Sequence, residues 1–503
     1  VKYGSLIAIL LMMAAIAPAQ ELLPPGAIRA FRASSERRQI FFNAALSPDG
    51  KTLAVCGSTK RIFLFDVQTG KELLAFGSHI DHVWTVAWSR DGHDLASGGR
   101  GDLPLRRWDP RTGQELEPHI GHQGGITHVF FSRDGKRLFM SGGSWDPTIR
   151  VWDTATRKLL RSMAGHTDYI NAMAVSPDER LIASGSQDGT LRLWDLERGK
   201  ELAPFVTAHA GSGFSAVAFS PCGNMIASGA RDGECTIWEV ASRQARWRIK
   251  GRESCDLAAV VFTADGDQVI AGWNDGAIRI IDLRHARVTS EWPAQTDGVR
   301  SIVMHPSGTT FVTTGQEGVA YLWELPKRPS DAMPPSRQEQ LELAWGHLAG
   351  EADRAYRAIL QLSQRGSPVV PFLRSRLQPV APADAAKVER LIADLDSPRF
   401  ADRERATQEI ALLGDRALMT LRQASAKAKS AEVRDRLARL LKPWDSPPRD
   451  GELLRQLRAV EILQRHGSPD AVVILRELSR GAVGARVTVA ARTALIRLEP
   501  RDR

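Results

Sequence analysis

The sequence predicts an all-β seven-bladed propeller over residues 20–326, followed by an all-α helical-repeat domain over residues 336–503, with a proline-rich linker at 327–335 between them. Three observations predict this. First, the pairs Phe65/Asp66, Trp108/Asp109, Trp152/Asp153, Trp194/Asp195, Trp238/Glu239, Ile281/Asp282 and Trp323/Glu324 recur at intervals of 43, 44, 42, 44, 43 and 42 residues. That period belongs to four-stranded blades, none of which can bury both of its faces alone. Second, strand-type alternation ends near Pro335, and helical spacing takes over, as in Leu391/Leu395 and Ala406/Ile410/Leu413. Third, the charge divides at the same place: from Lys327 onward 32 basic residues face 23 acidic ones, so the whole net charge of +9 lies in the C-terminal part.

The chain begins VKYGSLIAILLMMAAIAPAQ, with Lys2, an uncharged apolar run through Ile16, and small residues at Ala17 and Ala19. This pattern predicts a secretory signal at residues 1–19, cleaved after Ala19. An uncleaved anchor is the alternative, because the apolar run approaches the minimum of about 17 residues for a membrane span. Val1 in place of Met implies an alternative start or a missing beginning. The expected location is periplasmic, cell-surface or secreted. Next, Ala27–Ala33 has the apolar content of a blade's fourth strand without a blade of its own, and the first full blade opens around Phe41–Leu46. At the far end, Trp323-Glu324-Leu325 runs straight into PKRPSDAMPP, whose prolines exclude a paired strand. The N-terminal strand therefore completes the last blade, which closes the ring and removes two free sheet edges.

The stretch Gly165–Asp195 shows one repeat most clearly. Ile170–Val175 and Leu181–Ser184 are β-prone runs separated by Ser176-Pro177-Asp178-Glu179-Arg180, where proline presets φ for a turn. Gln187-Asp188-Gly189 then supplies a tight hairpin into a third strand, Leu191–Trp194, and a fourth is expected at Glu201–Phe205.

With these residues in view, the chain resembles the WD-repeat proteins over residues 27–326. The resemblance implies a buried network of His, Ser or Thr, Asp and Trp that pins the loop before each blade to its second and third strands. Its members would be His79, Ser97, Asp102 and Trp108; His122, Ser141, Asp146 and Trp152; His166, Ser184, Asp188 and Trp194; and His209, Ser228, Asp232 and Trp238. Arg37, Arg252 and Gln295 stand at the His position of the first, sixth and seventh copies, and Ile281 replaces a Trp. Those three blades are expected to lack the network and to rely on packing.

In the helical part, residues 355–377, 405–424 and 458–478 each read as an apolar helix, a Gly-centred turn and a second apolar helix. These pairs resemble HEAT-type repeats and imply a small solenoid. Ser336 with Glu339 forms a capping-box pattern, and Ser-Pro at 367/368, 397/398 and 468/469 places a capping hydroxyl before a first-turn proline.

Little in the chain points to catalysis. Cys56, Cys222, Cys235 and Cys255 lack metal-type spacing; Cys235 and Cys255 fall on neighbouring blades, so a bridge and two small buried hydrophobes are both open readings. His79, Asp81, His82 and His93 cluster in sequence, but the network takes His79 and His93 lies in a turn at the opposite face. There is no P-loop, GxSxG elbow or HExxH helix, and no enzyme activity, cofactor or metal is implied. The basic residues of the helices alternate with acids, as in Asp402-Arg403-Glu404-Arg405, which is the pattern of a solvated face and not of a nucleic-acid groove. Weak attraction to anionic envelope surfaces remains open.

The resemblance also implies where partners bind: just after the network His and just before the turn Asp, around the central opening. Here those positions are Ile40, Phe42, His82, Trp84, Thr127, Tyr169, Asn171, Asp256 and Arg300, and, before the turn, Trp145, Gln187, Arg231, Asn274 and Gln316. Phe42, Trp84, Trp145 and Tyr169 supply the aromatic side chains that dominate interfaces. For Phe42 and Trp84, inward packing between blades is the competing reading. The expectation is an exported, non-catalytic interaction scaffold of unknown protein partner, against a small-ligand binder or enzyme using the central pocket, or a structural envelope component.

Overall fold

The computed structural model describes residues 23–34, 39–101, 104–120, 122, 124–143, 145–202, 205, 213–251, 255–327, 338–363 and 368–498. The signal at 1–19, Arg37, Asp102, His209, Arg252, Ser336 and nearly all of the 327–335 linker lie outside these residues.

Seven four-stranded antiparallel sheets form the propeller, each in sequence order from the axis outward except the last. Blade 1 runs Phe41–Leu46, Thr52–Gly57, Ile62–Asp66 and Glu72–Phe76; blade 7 runs Val299–Met304, Thr310–Gly315 and Val319–Glu324, with Ala27–Arg32 as its outermost strand. Phe31 opposes Ala320 and Ala30 opposes Tyr321 across that closing pair, so the N-terminal strand joins the two ends of the ring as expected. The first hairpin of a blade is fixed by its own side chains. Ser176 Oγ donates to Asp178 Oδ1 (2.6 Å) and accepts from Leu181 N (2.9 Å), and Ser47/Asp49, Ser89/Asp91 and Ser132/Asp134 repeat the pattern. In blade 4 the fourth strand is shorter than expected, Lys200–Glu201 instead of Glu201–Phe205. Phe205 is instead buried against Trp238 of the next blade, with ring centroids 5.4 Å apart.

Apolar residues of facing blades fill the spaces between them. Phe41, Phe63 and Phe65 pack with Phe31 between blades 7 and 1; Phe139, Ile149, Met173 and Trp194 pack between blades 3 and 4. Trp194, Trp238, Trp273 and Trp323 are all within 1% of complete burial. The core between blades 5 and 6 continues into the helical part.

Ten α-helices follow among the described residues: α1 (Gln338–His347), α2 (Ala352–Leu362), α3 (Val369–Arg374), α4 (Ala385–Asp394), α5 (Phe400–Leu413), α6 (Leu418–Lys427), α7 (Ala431–Asp445), α8 (Gly451–His466), α9 (Pro469–Ser479) and α10 (Arg486–Leu498). Ser468 caps α9 through Ala471 N, with Pro469 at the first position, as the sequence predicts. At 397/398 the helix begins later: α5 starts at Phe400, and Ser397 bonds Arg399 N and Asp402 instead of capping at its own position. A solenoid stacks each pair on its neighbour in sequence. Here α2/α3 and α8/α9 pack with α1 and α10 in one core that includes Leu257, Val260 and Trp273 of the propeller. The middle helices α4–α7 have a separate core of Val388, Leu391, Ile410, Leu421 and Leu437. The order of pairs in space is therefore not their order in sequence.

Three arginines of the helical part, Arg458, Arg465 and Arg497, pair with propeller carboxylates at this junction. Glu239, the acid of the Trp238/Glu239 pair, is buried and receives Arg458 on both oxygens (2.9 and 2.7 Å) and Arg246 (2.8 Å). Glu461 takes Arg246 on both oxygens (3.1 and 2.7 Å), and Arg465 bridges from Glu461 to Asp267. Burial alone would raise the Glu239 carboxyl; Arg246 and Arg458 outweigh it and hold it at about 2. Charges so deeply desolvated persist only when every one is paired. The helical part is thus anchored on the outer strands and turns of blades 5 and 6.

A candidate partner-binding face

The network expected from the repeats is complete in blade 4. His166 Nδ1 faces Asp188 (2.9 Å), His166 Nε2 faces Ser184 Oγ (2.7 Å), and the Trp194 indole donates to Ser184 Oγ (2.7 Å). Burial pushes the Asp188 carboxyl up, but hydrogen bonds from His166 and Thr190 outweigh it and hold the acid below its ordinary value. Blade 2 shows the same His79–Ser97–Trp108 chain at 2.7 Å for each link, and in blade 5 Trp238 donates to Ser228 (2.8 Å). Asp232 forms the turn by accepting Glu234 N (3.0 Å).

Two expectations need correcting. In blade 3, His122 meets Asp146 (3.1 Å), but Ser141 has turned to Thr127 (2.9 Å) and His128 (3.4 Å). His122 Nε2 and the Trp152 indole nitrogen are consequently buried without a hydrogen-bond partner among the described residues. Of the departing blades, 6 and 7 do not rely on packing alone, while Arg37 of blade 1 lies outside the described residues. In blade 7, Gln295 Nε2 and the Trp323 indole both donate to Thr313 Oγ1 (3.2 and 2.9 Å), because an amide reaches where an imidazole would. In blade 6, Arg279 stacks 4.4 Å over Trp273 and joins Asp275 to Glu291 (3.0 Å each).

Above this layer, each of six blades repeats one backbone bond: Ser58, Arg100, Gly143, Gln187, Arg231 and Asn274 donate to the carbonyls of Ile40, His82, Gly125, Tyr169, Gly213 and Asp256 (2.9–3.2 Å). Two residues after these carbonyls, and at the matching place in blade 7, the register of the innermost strand slips, so that Phe42, Trp84, Thr127, Asn171, Ser215, Ala258 and Arg300 have no cross-strand partner. Such bulges re-aim side chains.

The structure brings several predicted residues together and separates others. Phe42 packs on the His82 ring, with centroids 5.7 Å apart. Trp84 lies against Gly125, where an added Cβ would come within 3.2 Å of its ring, and Trp145 lies against Gly124, whose Cβ would meet it at 2.7 Å. Both glycines have positive φ, +106° and +98°, so no other residue would provide this shelf without strain. Tyr169 covers Gly143 in the same way, at 3.4 Å. The result is an aromatic arc over blades 1 to 4, in which Trp145 is 83% and Tyr169 37% exposed, while Phe42 and Trp84 are half-buried. Arg231, Asn274 and Arg300 are exposed on blades 5, 6 and 7, across the opening from the arc. Asn171 has structural work: it donates to Gln187 Oε1 and to the Phe214 carbonyl of the next blade (3.1 Å each). Thr127 is held by Ser141, and Gln316 is half-buried. Sequence reasoning missed Arg100, exposed beside Asp81 (3.9 Å), and the glycine shelf. The tandem Gly124-Gly125 next to a predicted binding position is the signal that points to the shelf.

Among the described residues, no group of His, Cys, Asp and Glu side chains is placed to hold a metal ion. His79 is bonded to Ser97, and His82 lies between Asp81 (3.6 Å) and Phe42. Cys235 and Cys255 are free thiols, and burial pushes Cys235 up to about 12. No helix among the described residues is long and apolar enough to cross a membrane.

Residues 70–102, 113–153, 157–195, 200–239 and 287–324 match the family model described as WD domain, G-beta repeat. The chain carries WD40 repeats, which build a seven-bladed propeller followed by a helical region. Blades 1 and 6, where Phe65 and Ile281 replace the Trp, fall largely outside the matched segments. The small ribosomal subunit protein RACK1y of Oryza sativa subsp. japonica is 31% identical over 162 residues, covering 32% of this chain and 48% of that protein. Protein FIZZY-RELATED 2 of Arabidopsis thaliana is 30% identical over 152 residues, 30% of this chain and 31% of its own length. MST50-interacting protein 11 of Pyricularia oryzae (strain 70-15) is 29% identical over 164 residues, 32% of this chain and 52% of its own length. The chain thus spans about half or less of the length of these curated relatives.

Proposed function

We propose that this chain is a non-catalytic scaffold that binds a protein partner on the aromatic arc of its propeller. The observation that carries the reading is Trp145, 83% exposed and seated beside the Gly124 backbone. A large aromatic side chain with only two rotatable bonds brings much contact area at little entropic cost, which is why such residues anchor interfaces. The names of two relatives, a ribosomal subunit protein and an interacting protein, accord with this reading. The helical part offers a second surface that is fixed relative to the first by the Glu239 ion-pair cluster.

Export is part of the proposal. It is supported by the apolar run to Ile16 followed by Ala17 and Ala19. Cell fractionation with N-terminal sequencing of the mature protein tests it; a mature chain beginning at Gln20 is expected, and retention of the whole protein in the cytoplasm would refute it. The binding face is tested by placing a photo-crosslinking amino acid at position 169 of the arc or, as control, at exposed Leu160. Expected is a discrete partner adduct from position 169 alone, abolished by Trp145→Ala. An identical adduct from both positions would sink the face.

A further inference from the structure

The middle helices α4–α7 are joined to the remainder by two proline-bearing segments, Gln378–Ala383 and Ser446–Arg449. Between them and the N-terminus of α10 lies a cleft of about 450 Å³, a volume typical of small-molecule sites. Its walls carry two kinds of chemistry. Arg439, Lys442, Arg449 and Arg486 supply four positive charges, against two carboxylates, Asp415 and Asp450. Both acids have structural partners: Asp415 accepts the Trp444 indole and caps α10 through Arg486 N (2.9 Å), and Asp450 caps α8 through Glu452 N (2.9 Å). Among the described residues, none of the four cations has a carboxylate within ion-pair distance. The other wall is apolar and rigid, formed by Pro443, Pro447, Pro448 and Leu453.

Further positive charge stands behind this wall. Arg243, from the last turn of blade 5, reaches the Asp445 carbonyl (3.5 Å), and Arg198 pairs with the Asp445 carboxylate. Burial lowers the Arg243 guanidinium to about 10, with the Arg486 charge adding to the effect. Cations brought this close to one another raise the local affinity for anions.

We propose that this cleft binds a small molecule bearing a phosphate group on a ring, the phosphate held by Lys442, Arg449 and Arg439 and the ring laid on the proline wall. The net charge of the lining, four cations against two acids, matches a phosphate monoester dianion. Neither element of this site depends on the propeller face.

Phenyl phosphate is the probe, titrated calorimetrically into the full chain at low salt, with inorganic phosphate for comparison. Saturable binding is expected, weaker for inorganic phosphate, and reduced at least about tenfold by Lys442→Ala/Arg449→Ala. Both side chains are exposed, so the double variant should melt with the parent. Leu453→Asp is expected to weaken phenyl phosphate while sparing inorganic phosphate. The headgroup of a lipid carries the same chemistry, so sedimentation with phosphatidic-acid vesicles is run in parallel. Association with vesicles and no saturable uptake of phenyl phosphate would overturn the small-molecule site, as would binding that the double variant leaves unchanged.

Discussion

Blades 3 and 4 have the same four residue types at the same repeat positions, yet only blade 4 connects them. In blade 4, Ser184 sits between His166 and Trp194 and satisfies both. In blade 3, Ser141 faces Thr127 and His128, leaving His122 Nε2 and the Trp152 indole unpaired. An extra residue in the blade 3 turn is not the cause, because blade 2 has the same spacing from Ser97 to Trp108 and still makes both bonds. The difference lies in the bulge: blade 2 places Trp84 there and blade 4 an Asn171 occupied elsewhere, whereas blade 3 places Thr127, whose hydroxyl competes for the serine. Blade 3 is also the blade that carries the exposed Trp145 and the glycine shelf. Of these two blades, the one with the interrupted network holds the more accessible aromatic group.

The comparison can be broken most directly at its serines. Ser184→Ala orphans two buried groups and should cost about 2–4 kcal/mol in urea unfolding, whereas Ser141→Ala should cost under about 1. Equal losses would show that blade 4 is not the better connected blade. Acid should separate the two blades next. Burial pushes the His122 imidazole down to about 4 against the pull of Asp146, so below its unfolded value of 6.5 the unfolded chain takes up the proton and the folded one does not. Stability is therefore lost as pH falls from 6.5 toward 4, by on the order of 2–3 kcal/mol. Burial holds His128 of the same blade down to about 4 as well, so His122→Gln should remove about half of the pH dependence across that window and leave the remainder to His128. Asp188 behaves in the other sense: its lowered carboxyl stabilises above its unfolded value of 3.8, and that contribution disappears only as pH drops below it. A smaller effect is expected from Thr127→Val. With the competitor removed, Ser141 can return to Trp152, raising stability by roughly 0.5–1 kcal/mol, measurable as a higher melting temperature. Trp145→Ala should change stability least, within about 0.5 kcal/mol, while removing the partner adduct.

Much of this fold is legible because its information is local and repeated. The hairpin serine–aspartate turns, the interval between Trp/Asp pairs and the lone N-terminal strand each follow from a few adjacent residues, and the structure reproduces them. The candidate face is legible in position but not in detail. Asn171 occupies a predicted binding position yet joins two blades, and Trp145 gains its orientation from Gly124, twenty-one residues away. Gln295 stands in for a histidine in a way that depends on where an amide can reach in three dimensions.

The sequence by itself determined seven blades, their closure by Ala27–Arg32 and a change to helices beyond the last blade, because periodic apolar patterning and turn chemistry act over a few residues at a time. Only the tertiary structure decided that the helices lock onto blades 5 and 6. Glu239 and Arg458 are 219 residues apart, and nothing in their neighbourhoods marks them as partners. Burial selected the pair: once apolar surfaces from both parts had merged into one core, a charge at that depth was tolerable only opposite its counterion.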